Sequence, residues 1–240
     1  MQLHISNDAD ELAGNVADWI IELIAKTLET NDRFTIALSG GSTPKKLHLL
    51  LASPGYRENV QWEKLHFFWG DERAVPFSDD RNNAKMAFET LLDKVPVNRD
   101  NIYIMRTDIP PEESAAEYNR LLHEYFDGHP FSFDLVLLGM GDDGHTLSLF
   151  PGTGIVHETS VMAKAFYLDA QQMFRISLTA PIVNESTHIA FLVAGTSKAH
   201  ALKEVLKGEF NPDKYPSQMI RPVNGELHWF LDKAAAADII

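Results

Sequence analysis

The sequence predicts an α/β fold: a three-layer αβα sandwich around a mostly parallel sheet. Two observations carry this. Nearly continuous apolar runs recur at Phe34–Leu38, Leu65–Trp69, Phe133–Leu138 and Ile189–Val193, the pattern of strands buried on both faces. Amphipathic helical patterns separate them, so strand and helix alternate almost throughout, as a parallel sheet covered by helices requires. The 240 residues contain no internal repeat, low-complexity tract or Pro/Ser-rich linker, so a single domain over 1–240 is expected.

In chain order, Gln2–Ser6 reads as a short strand. Asp8 with Glu11 forms a capping-box pattern that opens a helix, and Leu12, Val16, Ile20, Leu23, Ile24 and Leu28 continue it at helical spacing to about Thr30. Phe34–Leu38 breaks at Ser39-Gly40-Gly41, and Pro44 suits the first turn of a helix through about Leu51. Leu65–Trp69 is a second buried strand, ending at Gly70. Asn83–Leu92 is helical, Ile102–Met105 a strand, and Glu112–Phe126 a helix preceded by two prolines. After Phe133–Leu138 and a glycine-rich segment, Val161–Leu168 and Phe174–Leu178 alternate as strands do. Ile189–Val193 is again continuous and apolar, Ser197–Lys207 helical, Leu227–Leu231 a last strand and Ala234–Ala237 a short helical tail. The resulting sheet is Rossmann-like, and ligands of such sheets sit outside the carboxyl ends of the strands.

Composition excludes several functions. With 21 basic and 34 acidic residues, a formal charge of −13 and no Lys/Arg-rich run, nucleic acid and anionic membrane surfaces are poor partners. A small anionic ligand needs only a local pocket of donors. The absence of cysteine excludes disulfides, thiol catalysis, iron–sulfur clusters and cysteine-ligated zinc. The N-terminal residues lack the basic and apolar regions of a secretory signal, and no apolar run approaches the ~18 residues that span a bilayer, so a cytoplasmic location is expected. The histidines other than His145 form no H-x-x-x-H or H-E-x-x-H pair and read as structural or solvated; no metal site is expected.

Four strand ends carry unusual chemistry. After Phe34–Leu38, the turn Ser39-Gly40-Gly41-Ser42-Thr43-Pro44 lets backbone N–H groups converge at the positive end of the next helix, with Ser42 and Thr43 adding hydroxyls. Either a phosphate or carboxylate site, or an ordinary glycine turn and cap, accounts for it. After Leu65–Trp69, Gly70-Asp71-Glu72-Arg73 places three charges together, which suit a structural cap, an ion pair or a site.

After Phe133–Leu138 comes Gly139-Met140-Gly141-Asp142-Asp143-Gly144-His145-Thr146. It contains G-x-G-x-x-G, and Glu158 falls near the place of a ribose-binding acid. The strand is a late one, however, and the segment up to Pro151 is too short for a crossover helix, so the dinucleotide reading is rejected. A histidine held on a rigid glycine-rich turn remains. After Ile189–Val193, Lys198 falls in the first turn of a helix, where a cation opposes the dipole unless an anion is present. Arg175, within Phe174–Leu178, is otherwise an edge-strand charge.

Together these blocks resemble the 6-phosphogluconolactonase family, within the larger group that includes the glucosamine-6-phosphate deaminases. The resemblance rests on Leu38-Ser39-Gly40-Gly41-Ser42-Thr43-Pro44, Trp69-Gly70-Asp71-Glu72-Arg73-Ala74-Val75-Pro76, and the long block from Gly139 through His145 to Gly152. Asn83 with the helix after it, Arg175-Ile176-Ser177-Leu178-Thr179 and Gly195-Thr196-Ser197-Lys198-Ala199 also match, and the resemblance covers about residues 8–230. Leu147 stands where the family often has Ala, and Asn82 where it often has Ser. The resemblance implies the deaminase-like fold, hydrolysis of 6-phospho-D-glucono-1,5-lactone to 6-phosphogluconate in the oxidative pentose phosphate pathway, no cofactor and no required metal.

The main rival is deamination and isomerisation of glucosamine 6-phosphate. The deaminases continue their Asp-Gly-His turn with an Asn-Glu-Pro-type segment where this chain has Leu149-Phe150-Pro151-Gly152, so the carboxylate that assists their histidine is expected to be missing. A non-catalytic sugar-phosphate sensor could dispense with His145, which is retained. For lactone hydrolysis His145 is the natural general base. Arg73 is assigned to the oxyanion or to holding substrate, and Asp71 to orienting Arg73, His145 or a sugar hydroxyl; the sequence leaves these open. The phosphate falls to Ser39, Gly40, Gly41, Ser42 and Thr43 with charge from Arg175 and Lys198, and Asn83 and Gly144 complete the candidate substrate contacts. Monomer and homodimer both remain open.

Overall fold

The computed structural model describes all 240 residues. In chain order the elements are β1 (Gln2–Ser6), α1 (Ala9–Leu28), β2 (Phe34–Leu38), α2 (Ser42–Leu51), α3 (Pro54–Arg57), β3 (Leu65–Trp69), β4 (Asp71–Arg73), α4 (Asn83–Ala87), α5 (Pro111–Phe126), β5 (Leu135–Leu138), β6 (Ala163–Leu168), β7 (Met173–Leu178), α6 (Ala180–Asn184), β8 (His188–Val193), α7 (Ala199–Lys207) and β9 (Glu226–Asp232). Six strands pair in parallel in the order β1-β9-β8-β5-β2-β3. From the central β2–β5 pair, connections run outward in opposite directions, which makes that pair the switch point where such sheets open a crevice.

Period-two alternation divides the core between the faces of this sheet. Ile36, Leu38, Leu135, Leu137, Ala190 and Leu192 pack with Leu12, Val16 and Ile20 of α1. Ala37, Val136, Leu138, Ile189, Phe191 and Val193 face Tyr118, Leu122 and Phe126 of α5. Across β8–β9, Phe191 and Trp229 stack with centroids 3.8 Å apart. Both faces are dry, which is why these strands read as continuous apolar runs. The α/β sandwich with a parallel central sheet is therefore as expected. No helix is long and apolar enough to cross a membrane.

Local differences have local causes. Asp8 caps α1 by accepting from the Asp10 and Glu11 N–H groups at 2.9 Å, but Glu11 reaches back to the N–H of Asn7, not of Asp8, and the helix ends at Leu28 rather than near Thr30. The expected helix Asn83–Leu92 is α4 followed by one wide π turn over Phe88–Leu92. Ile102–Met105 is not a strand: beside β3 it makes a single bridge, Phe67 with Ile102. The Ala234–Ala237 tail is a series of turns held by the Asp232 carboxylate, which accepts from Ala235 N–H at 2.7 Å.

The strands β6 and β7 exist but do not join the parallel sheet. With β4 they form a separate antiparallel sheet in the order β4-β7-β6. Gly70 links the two sheets: its N–H donates to Leu38 O at 2.9 Å and its carbonyl accepts from Leu178 N–H at 2.8 Å. A side chain there would meet Leu147 at 2.6 Å, so glycine is required where the chain passes between sheets.

His48 of α2 is wholly buried, with Nδ1 against Thr90 Oγ1 at 3.2 Å and no partner for Nε2. Burial pushes the imidazole down to about 4. The unfolded chain therefore takes up a proton below about pH 6.5 that the folded chain refuses, and stability falls as pH drops from there toward 4. The variant His48→Leu removes that difference, so its Tm should fall less steeply than the parent's between about pH 6.5 and 4. An unchanged slope in calorimetric scans would contradict the assignment.

Candidate active site

Because β8, β5, β2 and β3 are consecutive neighbours in a parallel sheet, the four singled-out strand ends share one rim. At the end of β2, Gly41 takes φ +108° and α2 begins with no side chain capping it. Its first intrahelical bond is from Lys45 N–H to Gly41 O at 3.0 Å, and the N–H groups before it are available to an anion. Gly41 and Ser42 are exposed, whereas Ser39 is buried with its hydroxyl on Gly40 O. Asn83 lies against Gly40 so closely that a Cβ would stand 1.9 Å from its Oδ1. That amide also donates to Asp71 O at 2.9 Å, so Asn83 braces the phosphate-type turn against β4.

The β4–β7 register sets Arg73 directly opposite Arg175. Like charges so placed repel, and Arg175 is only 3% exposed on the middle strand of its sheet. The edge-strand reading of Arg175 is thereby overturned. Its Nη2 donates to Gln171 Oε1 at 2.8 Å and its Nη1 stands 3.6 Å from Asp71 Oδ2, while Nε and Nη1 have no hydrogen-bond partner. Arg73 spends Nη1 on Arg81 O and leaves Nε buried and unpartnered. Burial, reinforced by Arg73, lowers the Arg175 pKa against the pull of Asp71. Two neighbouring arginines with donors that no protein group satisfies can together receive an anion.

Asp71 is buried and engaged: Oδ2 accepts from Ser148 Oγ at 2.6 Å, and Asn83 and Arg175 occupy its other sides. It bonds neither His145 nor the Arg73 side chain, so of the roles left open it takes none toward those two. Instead it fixes Arg175 and Ser148. Glu72, its neighbour, is structural. Its carboxylate accepts from the N–H groups of Arg73, Asn83 and Ala84 at 2.7–2.8 Å, and burial still pushes it up to about 7.

At the end of β5, His145 Nδ1 lies 2.6 Å from Asp143 Oδ1, which also accepts the His145 N–H at 3.1 Å. Burial raises the Asp143 pKa, but its hydrogen bonds and charge attraction to His145 and its backbone hydrogen bond together outweigh that and hold the carboxyl below its usual range. An ionised Asp143 can only accept at this contact, so Nδ1 carries the hydrogen and donates it, and the Nε2 lone pair is left to accept a proton. The segment after the histidine, Leu149-Phe150-Pro151-Gly152, carries no carboxylate, as expected; the one that meets His145 precedes it by two residues. Gly144, at φ +77°, turns the chain so that both side chains meet, and a Cβ on Gly141 would stand 2.1 Å from His145 Nδ1. The His145 ring stacks on Phe150 at 4.1 Å, and the same ring carries Arg175 at 5.5 Å.

At the end of β8, Lys198 closes a 3₁₀ turn over Thr196–Lys198 just before α7. Its ammonium is ion-paired with Asp142, so the anion that its position demands is already supplied within the chain. The rejected dinucleotide motif has no helix after it, and Glu158 bonds Lys164 and Ser160, which hold it down to about 2. No group of three or more His, Asp or Glu side chains converges as a metal site would. An open cleft of about 600 Å³ does lie at the opposite, amino ends of the strands, around Arg33, Tyr125 and Asp134. It contains none of the rim chemistry.

A parallel α/β sandwich with a histidine–carboxylate pair beside two under-partnered arginines defines a class: proteins that process small anionic substrates at a strand-end rim. Residues 7–229 match the family of glucosamine-6-phosphate isomerases/6-phosphogluconolactonase, and the chain belongs to that family. It is 42% identical to the 6-phosphogluconolactonase of Synechocystis over 220 residues, covering 90% of this chain and 89% of the relative. Among solved structures, 6-phosphogluconolactonase from Trypanosoma brucei superposes with a TM-score of 0.86 at 26% identity, covering 100% and 98% of the two chains. A monomeric glucosamine-6-phosphate deaminase superposes with a TM-score of 0.85 at 18% identity over 99% and 100%; that likeness shows the shared fold alone.

Replacing Asp143 with Asn keeps the shape but removes the charge that steadies a protonated His145. Asp143→Asn should lower kcat about 10- to 1,000-fold on a substrate that uses this base and leave KM within about threefold. A pH–rate profile and kcat matching the parent's would remove Asp143 from the site.

Proposed function

We propose that this chain hydrolyses 6-phospho-D-glucono-1,5-lactone to 6-phosphogluconate, the lactone-opening step of the oxidative pentose phosphate pathway. One observation carries the chemistry: a histidine with its Nδ1 held by a carboxylate shares a Phe150 platform with a buried, under-partnered arginine. The names of the full-length relatives supply the substrate. The deaminase alternative finds no specific support at this rim.

In this reading, Nε2 of His145 takes a proton from water as its oxygen attacks the lactone carbonyl carbon. Negative charge collects on the former carbonyl oxygen, where orphaned donors of Arg73 and Arg175 stabilise it. The tetrahedral intermediate collapses as the bond to the ring oxygen breaks, and protonated His145 returns the proton to that oxygen. Asp143 stabilises the imidazolium in between, and Asp71 with Ser148 keeps Arg175 in place. The uncapped N–H groups of Gly41, Ser42 and Thr43 and the Lys198 ammonium hold the phosphate. Ser39, Gly40 and Asn83 shape that turn, and Gly144 shapes the turn that carries His145. No cofactor enters any of these steps, and a cytoplasmic location suits a substrate of this kind.

With 6-phosphogluconolactone as substrate, His145→Ala should lower kcat about 10²–10⁴-fold at similar KM; near-normal turnover would remove His145 from the mechanism. Lys198→Ala should chiefly raise KM, and an unchanged KM would take Lys198 out of the phosphate site.

A further inference from the structure

Two adjacent carboxylates leave the end of β5 and serve different partners. Asp143 holds His145, whereas Asp142 holds Lys198 and also accepts a hydrogen bond from Ser197 Oγ at 3.1 Å. Because β5 lies between β8 and β2, the turn carrying Asp142 stands between Lys198 and the glycine-rich turn before α2. We propose that Asp142 is a competing counterion: it occupies Lys198 while the site is empty, gives way to the substrate phosphate, and returns to help expel the product. The proposal rests on the reading of Lys198 as a phosphate ligand.

Exposure decides which partner moves. The Asp142 side chain is 62% exposed and that of Lys198 24%, so the carboxylate can turn into water while the lysine keeps its place on the rim. The backbone beneath stays fixed, since Gly141 N–H donates to His145 O at 2.8 Å and Gly144 N–H to Gly141 O at 3.0 Å. Swinging Asp142 therefore leaves the His145–Asp143 pair intact. A carboxylate and a phosphate dianion cannot share one ammonium without mutual repulsion, so the two exchange. An ion pair this exposed is weak, which suits a counterion that must be displaced in every turnover.

Asp142→Asn keeps the size of the side chain and removes the competitor. Calorimetric titration at low ionic strength with 6-phosphogluconate, and separately with inorganic phosphate, should show about 3- to 10-fold tighter binding of each. Asp142→Glu should bind each ligand like the parent. In a Lys198→Ala background, adding Asp142→Asn should change affinity less than about twofold. Equal or weaker binding by Asp142→Asn, while Lys198→Ala alone weakens binding, would overturn the exchange and leave the phosphate site standing. A full gain from Asp142→Asn without Lys198 would overturn it as well. If Lys198→Ala binds both ligands like the parent, the phosphate reading fails, and the exchange with it.

Discussion

Everything at the rim depends on how Arg175 can be buried. An isolated guanidinium in a dry site is prohibitively costly, and placing Arg73 across from it makes matters worse. Asp71 is the carboxylate that stands against Arg175, and it is itself held by Ser148 and Asn83. This ties together β4, β7, the turn after β5 and the start of α4. Asp71 and Glu72 both act on Arg175, yet donors of Arg73 and Arg175 stay unpartnered within the protein, so an incoming anion finds hydrogen bonds ready for it. In a chain with a net charge of −13, the arginine pair is a local positive island.

The second constraint is the parallel register. It sends four strands out in one direction side by side, so that groups distant in the chain meet without long loops. Phe150 then joins two functions: its ring carries His145 on one contact and Arg175 on another. In the proposed mechanism, proton transfer and charge stabilisation are thus held at a fixed spacing by an apolar side chain that does no chemistry itself.

Much of this was legible in the residue pattern, for physical reasons. Strands dry on both faces must be apolar at every position, so β2, β3 and β8 announced themselves within about a residue of their ends. The three-residue strand β4 did not, because Asp-Glu-Arg carries no apolar signal and owes its pairing to β7, far along the chain. The strand character of β6 and β7 was readable, whereas their departure into a second sheet was not; it follows from the passage of Gly70 between sheets. The resemblance named His145, Arg73, Arg175 and Lys198, and the structure brings all four to one rim. The partners were harder. Asp143 as the partner of His145 depends on Gly144 turning the chain at φ +77°, a conformation that the Asp-Gly-His order permits but does not state. Asp142 as the counterion of Lys198 is a contact between two strand ends that no local pattern encodes.

In the proposed reaction, His145 acts on a lactone whose phosphate is held by the turn before α2 and Lys198. The most direct test is the rate of opening of freshly generated 6-phosphogluconolactone with the intact chain, against its spontaneous opening and against unphosphorylated gluconolactone at equal concentration. A large acceleration confined to the phosphorylated lactone is the predicted result. Equal acceleration of both lactones would contradict the phosphate site at the turn before α2 and Lys198, and no acceleration above background would contradict the hydrolytic reading itself.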